Sequence, residues 1–155
     1  MILPKVHSYK VNKMLTDHKF LDEIGRSVSV NYQYDVPYLA GYSVNGSKIY
    51  IDRHLNLSMN GTDITKFLIV HEKTEKALID VFKLHYQQAH HIATMVERDA
   101  VTGSGLNWNK YERFVEKYVK TIGHENLKNS PADLDLTPYK DEKDFSKFVK
   151  KRSKL

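Results

Sequence analysis

Apolar and polar positions recur with two different periods along this chain, and the changes of period divide it. Between Val11 and Ile24, the residues Met14, Leu15, Leu21 and Ile24 fall at helical spacing. They predict a short amphipathic helix that Gly25 stops. Ser27–Tyr34 alternates instead, with Val28 and Val30 opposite Ser29 and Asn31, as a half-buried strand does. Asp35-Val36-Pro37 ends that run. Two β-rich runs follow, 38–44 and 47–52, separated by Asn45-Gly46. Both residues of this dipeptide accept the positive φ of a type I′ turn, so an antiparallel hairpin over 38–52 is expected. Arg53–Thr65 reads as a polar connection turned by Asn60-Gly61, with Thr62 or Asp63 capping the next element.

The second half of the chain is helical in pattern. From Phe67 to about Phe82–Leu84, the residues Phe67, Val70, Thr74, Ala77, Leu78 and Val81 share one side, and Lys73, Lys76 and Asp80 the other. Tyr86–Thr102 repeats the pattern through Ala89, Ile92, Ala93, Val96 and Ala100, and Gly103-Ser104-Gly105 closes it. Asn107 caps a third helix, Trp108–Ile122, which turns Tyr111, Phe114, Val115, Tyr118 and Ile122 inward. Ser130–Pro138 is expected to run extended across the surface through Leu134 and Leu136, with a short helix over Lys140–Lys151. The fold class expected is α+β: a small antiparallel sheet packed against three helices. Residues 1–139 form a single domain and 140–155 a tail.

Composition narrows the chemistry. The chain has 155 residues, 41 % apolar and 28 % charged, and no cysteine. Disulfides and thiolate metal sites are therefore excluded, and any metal must bind His, Asp or Glu. No apolar run approaches the ~20 residues of a membrane span, and Met1–Lys5 lacks a signal-peptide pattern. A cytoplasmic, membrane-free protein is expected. The net charge of +5 belongs mostly to residues 140–155, which hold seven Lys/Arg against three Asp/Glu. That segment reads as a solvated tail, or as a contact for an acidic protein or nucleic acid.

The chemistry concentrates in His71-Glu72-Lys73-Thr74-Glu75. His71 and Glu75 are i and i+4, stacked on a face that borders the apolar stripe. An imidazole and a carboxylate turned toward a core need partners: each other, or a metal ion. The string is one residue away from His-Glu-x-x-His, in which two helical side chains hold zinc and the first Glu is the general base. Glu is an acceptable zinc ligand, so His71 and Glu75 would be two of three ligands and Glu72 the base. His90 on the following helix, on the flank shared by Tyr86 and Glu97, is the expected third. Glu97 is i+7 from His90, ~10 Å along the helix axis. It is therefore placed behind the ligands, or as the alternative third ligand. His54 and Tyr86 are placed as groups that would polarise a substrate carbonyl. His7, His18, His85, His91 and His124 are expected to be ordinary surface histidines.

A strand at Lys48–Asp52, a polar connection, Phe67–Glu72 opening a helix, and a second helix bearing polar side chains together resemble the small zincin-like metallopeptidases of the ImmA/IrrE type. The likeness covers roughly Tyr38–Thr102. It implies a strand along the substrate cleft, His71 as first ligand, Glu72 as base and an acidic ligand on the second helix. Glu75 departs from the pattern by standing where a second histidine is expected. The chain also resembles small uncharacterised phage and bacterial proteins with the same string followed by Asp133–Tyr139. The resemblance implies a zinc-dependent peptidase acting on a peptide or protein. The alternative is a catalytically inactive relative, such as a virion-associated or host-interacting component.

Overall fold

The computed structural model describes residues 8–122 and 129–139. The basic tail and its expected helix lie outside the described residues, as do His7 and His124. The fold is α+β. Among the described residues there are five helices, α1 (Tyr9–Leu15), α2 (His18–Gly25), α3 (Thr65–Phe82), α4 (Tyr86–Gly103) and α5 (Trp108–Ile122), and a three-stranded sheet. The sheet is formed by β1 (Ser29–Asn31), β2 (Ala40–Tyr42) and β3 (Lys48–Ile51). A separate pair, β4 (Ser58–Met59) and β5 (Thr62–Asp63), leads into α3.

The single helix expected over 11–24 is two helices. Asp17 breaks it, because its carboxylate accepts from the backbone N–H groups of Lys19 (2.9 Å) and Phe20 (3.1 Å) and so starts a new helix. The restart turns Phe20 into the core and leaves Leu21 46 % exposed, a correction to the expected stripe. The sheet is mixed, not antiparallel. β2 and β3 form the expected hairpin, with Gly41 opposite Tyr50, but β1 pairs with β3 in parallel. The strand order is β1-β3-β2, so residues 32–39 carry the chain across to the far edge before it turns back.

The two Asn-Gly pairs behave differently. Between β2 and β3 the loop is longer than two residues: Ser43 still pairs with Lys48, and only Gly46 has positive φ. Asn45 builds the loop with its side chain, its Oδ1 accepting from Ser43 Oγ, Ser47 N and Ser47 Oγ. The two-residue turn with both φ positive is Asn60-Gly61, at 52° and 80°, between the paired residues Met59 and Thr62.

α3 is the central element. One side packs on the sheet, where Leu68 joins Leu39, Tyr42, Ile49 and Ile51. Another packs on α4, α1 and α2 through Ala77, Leu78, Ala89, Ile92, Leu15 and Phe20. Its first turn meets α5 through Phe67 and Tyr111, whose rings stand edge to face. The N-cap of α3 is Ile64, without a side-chain cap, so the expected capping by Thr62 or Asp63 is not formed; Asp63 instead accepts from the Thr65 N–H at 2.8 Å in the turn before the helix. Leu134 and Leu136 anchor the 130–138 segment, but it is not extended throughout: it turns before Leu134 and forms a 3₁₀ turn at Thr137–Tyr139, and only its middle extends the sheet at β2, with Val44 N donating to Asp133 and Asp135 N to Tyr42. Among the described residues no helix is long and apolar enough to cross a membrane.

Candidate metal centre

The core packing of α3 carries His71, Glu72 and Glu75 inside with it: they are 7 %, 9 % and 2 % exposed. α4 brings Glu97 in beside them, buried, and His90 at the rim with its side chain 49 % exposed. Three atoms converge. His71 Nε2 lies 3.2 Å from Glu75 Oε2 and 3.3 Å from His90 Nδ1, and His90 Nδ1 lies 3.0 Å from Glu75 Oε2. Ligand atoms ~2.0–2.1 Å from a tetrahedral centre stand ~3.3–3.4 Å apart, so this triangle is close to the face of a zinc-sized tetrahedron.

Protons decide what the triangle can hold. His71 Nδ1 lies 2.8 Å from Glu97 Oε1, an acceptor that fixes the ring N–H on that side. In the neutral ring, Nε2 then presents a lone pair toward a carboxylate oxygen and a second imidazole nitrogen. If His90 also turns a lone pair inward, three acceptors face one point and a cation would satisfy them; in its other tautomer His90 Nδ1–H donates to Glu75 instead. Burial disfavours charge on His71, but hydrogen bonds to Glu75 and Glu97 outweigh it and hold its pKa well above the ordinary value. Burial would likewise raise Glu75, and its bonds to His71 and His90 instead hold it below the ordinary carboxylate range. The group His71, Glu75 and His90 could thus hold a metal ion.

Two tyrosines complete the cluster. Tyr42 on β2 donates to Glu75 Oε1 at 3.0 Å, and Tyr111 on α5 donates to Glu97 Oε2 at 2.5 Å. Burial, then the adjacent carboxylate, raises both phenols, so both stay protonated donors. The sequence pattern turns the Tyr111 ring inward but does not indicate that either hydroxyl meets a carboxylate. The one signal available was a polar-tipped ring at a buried position, which needs an acceptor.

Glu72 stands apart. It makes no hydrogen bond with a described residue, and burial, then the Glu75 charge, pushes its pKa up to about 8. It lines a cleft of about 390 Å³ into which the cluster opens. α3 forms the floor with Leu68 and the His71–Glu75 turn. α4 forms one wall through Tyr86, His90 and Thr94, and α5 the other through Trp108, Tyr111 and Val115. Ala40 of β2 and Pro138 meet at the lip with Tyr38. Tyr38 and Leu39 both hold positive φ, 56° and 77°, which is uncommon outside glycine.

The structure therefore brings His71, Glu72, Glu75, His90, Glu97 and Tyr86 together, the Tyr86 hydroxyl lying 3.3 Å from His90 Nδ1. It does not bring His54. That residue follows Asp52, whose Oδ1 accepts its N–H, and its ring lies 3.9 Å from Asp35, outside the cleft lining. The short β3 hands the chain to a turn before His54 can reach the cluster. His18, His85 and His91 are exposed, as expected. No protein-family description, no curated protein and no solved structure matches the chain.

Proposed function

We propose that this protein is a zinc-dependent hydrolase acting on peptide bonds. His71, Glu75 and His90 would hold the ion, and Glu72 would be the general base. The observation that carries the reading is the convergence of His71 Nε2, Glu75 Oε2 and His90 Nδ1 within 3.0–3.3 Å of one another, with Glu97 on the far nitrogen of His71. Two histidines and one glutamate are a common donor set for catalytic zinc. Bound there, zinc would supply Lewis acidity to a water and to the scissile carbonyl.

The chain's own groups fit the remaining tasks. Glu72, which lines the cleft beside the cluster and makes no hydrogen bond with a described residue, would with a cation bound take the proton of the attacking water and return it to the leaving amine. The Tyr86 hydroxyl lies on the same flank as His90 and suits donation to the developing oxyanion. Apolar walls on α3 and α5 limit competing water. The test is cleavage of a quenched-fluorescent peptide library by the zinc-loaded chain. Glu72→Gln should keep the metal and lose cleavage, whereas His71→Ala should lose both. Cleavage that survives Glu72→Gln would exclude this mechanism.

One observation favours a second reading. The hydrogen bonds of Tyr42, Tyr111, Glu97 and Glu75 also close the cluster around a protonated His71. In that case the cluster is a buried polar network of a non-catalytic interaction protein, and tag-free protein contains no stoichiometric metal.

A further inference from the structure

Glu112 and Glu116 stand one turn apart on α5, exposed at the rim of the same cleft. Neither makes a hydrogen bond or ion pair with a described residue. Like charges at i, i+4 repel, and Lys120, placed i+4 from Glu116 in the favourable orientation, does not pair with it. The cationic His71 lies deeper in the cleft, between Glu75 and Glu97, so the uncompensated charge is that of the two rim glutamates. Five glutamates line the cleft and no lysine or arginine does, in a chain whose net charge is +5. Glu72 is a separate sign of an occupant: it is nine-tenths buried, lines the same cleft and makes no hydrogen bond with a described residue. Val115 and Val119 line the cleft on the same side of α5, as an apolar strip beside the two rim glutamates.

We propose that the cleft selects peptides carrying a lysine or arginine, with the alkyl stem along Val115 and Val119 and the cation between Glu112 and Glu116. Long basic side chains bury their methylenes on apolar surface while the charge stays at the rim, which is the arrangement this wall offers. The substrate class rests on the hydrolase reading; the charge selectivity does not.

The test is binding, so that it stands apart from turnover. Two fluorescein-labelled alanine peptides, identical except for a central lysine or norleucine, are titrated into the full chain carrying Glu72→Gln, with and without zinc, and anisotropy is read. The lysine peptide should bind roughly threefold to tenfold more tightly at low salt, with the ratio falling as salt rises. Adding E112Q and E116Q should bring the ratio near 1, and E112K with E116K should invert it. Equal affinities in the parent protein, or a ratio that survives E112Q with E116Q, would overturn the proposal. The urea midpoint of each variant, expected unchanged because both residues are exposed, identifies any loss of fold. Charge-selective binding without cleavage by the wild-type chain would keep this proposal and sink the hydrolase.

Discussion

Glu97 Oε1 lies 2.8 Å from His71 Nδ1, on the opposite side of the imidazole from Glu75 and His90. The carboxylate sets which nitrogen of His71 carries the proton and which is free for a metal. Removing such a partner costs metal affinity although it is not a ligand, typically 10–100-fold. Glu97→Ala should therefore weaken zinc binding by about that factor in a competition titration against a chromophoric chelator. Glu97→Gln should weaken it less, because the amide oxygen still accepts. Unchanged affinity in Glu97→Ala would mean that the tautomer is set by something else.

The metal-free protein should lose stability as pH rises. Glu72 binds its proton more tightly folded, with a pKa of about 8, than at its ordinary value of 4.5. Its contribution is thus present below about pH 4.5 and lost between there and pH 8. His71, raised from 6.5, acts in the same direction, its contribution present below 6.5 and lost as pH rises through its folded value. Glu75, lowered, acts oppositely, its contribution lost only as pH falls below 4.5. Glu72→Gln removes the first of these. In urea titrations without metal it should exceed wild type by on the order of a few kcal/mol at pH 8, and by nothing at pH 4.5. A pH-independent difference would contradict the burial of an ionisable Glu72.

Zinc binding should itself depend on pH, because the proton shared by His71 must leave before the ion can enter. Affinity should fall as pH drops, and calorimetry in buffers of different ionisation enthalpy should register proton release on binding. Binding with no proton release would place the metal elsewhere.

Glycine substitutions separate the turns. Gly61 sits at φ 80° in the two-residue turn, and Gly103 ends α4 without positive φ and with nothing within 4 Å of an added Cβ. Gly61→Ala should cost about 1 kcal/mol, whereas Gly103→Ala should be neutral or stabilising by up to ~1 kcal/mol, read from denaturant midpoints. The reverse order would refute the assigned turn.

The extended segment against β2 is structural. Leu134 is 2 % exposed between Val36 and Tyr50. Leu134→Ala should cost roughly 2–4 kcal/mol. A loss below ~1 kcal/mol would show that this segment is dispensable.

The sequence carried the parts of this architecture that local periodicity and spacing determine. The α3 and α4 stripes, the i, i+4 pair of His71 and Glu75, and the flank shared by His90 and Glu97 all follow from 3.6-residue geometry, and the 38–52 hairpin from its flanking strands. What it did not carry depends on distant packing. The break at Asp17 depends on which of Phe20 and Leu21 the core accepts. The parallel partner of β1 is chosen by a crossover that no local pattern encodes. The tyrosine hydroxyls of Tyr42 and Tyr111 meet Glu75 and Glu97 only after the sheet and α5 have docked on α3. His54 looked available because the hairpin strand ends close to it in sequence; in space, Asp52 and Asp35 hold it away from the cleft.

The central claim is that His71, Glu75 and His90 hold one zinc ion. Elemental analysis of the full chain, purified without an affinity tag and with zinc then supplied and free metal removed, tests it most directly. The account predicts one zinc per chain in wild type and in Glu72→Gln, and none in His71→Ala, Glu75→Ala or His90→Ala proteins that remain folded. Wild type without stoichiometric zinc, or zinc that persists after loss of these three side chains, would contradict it.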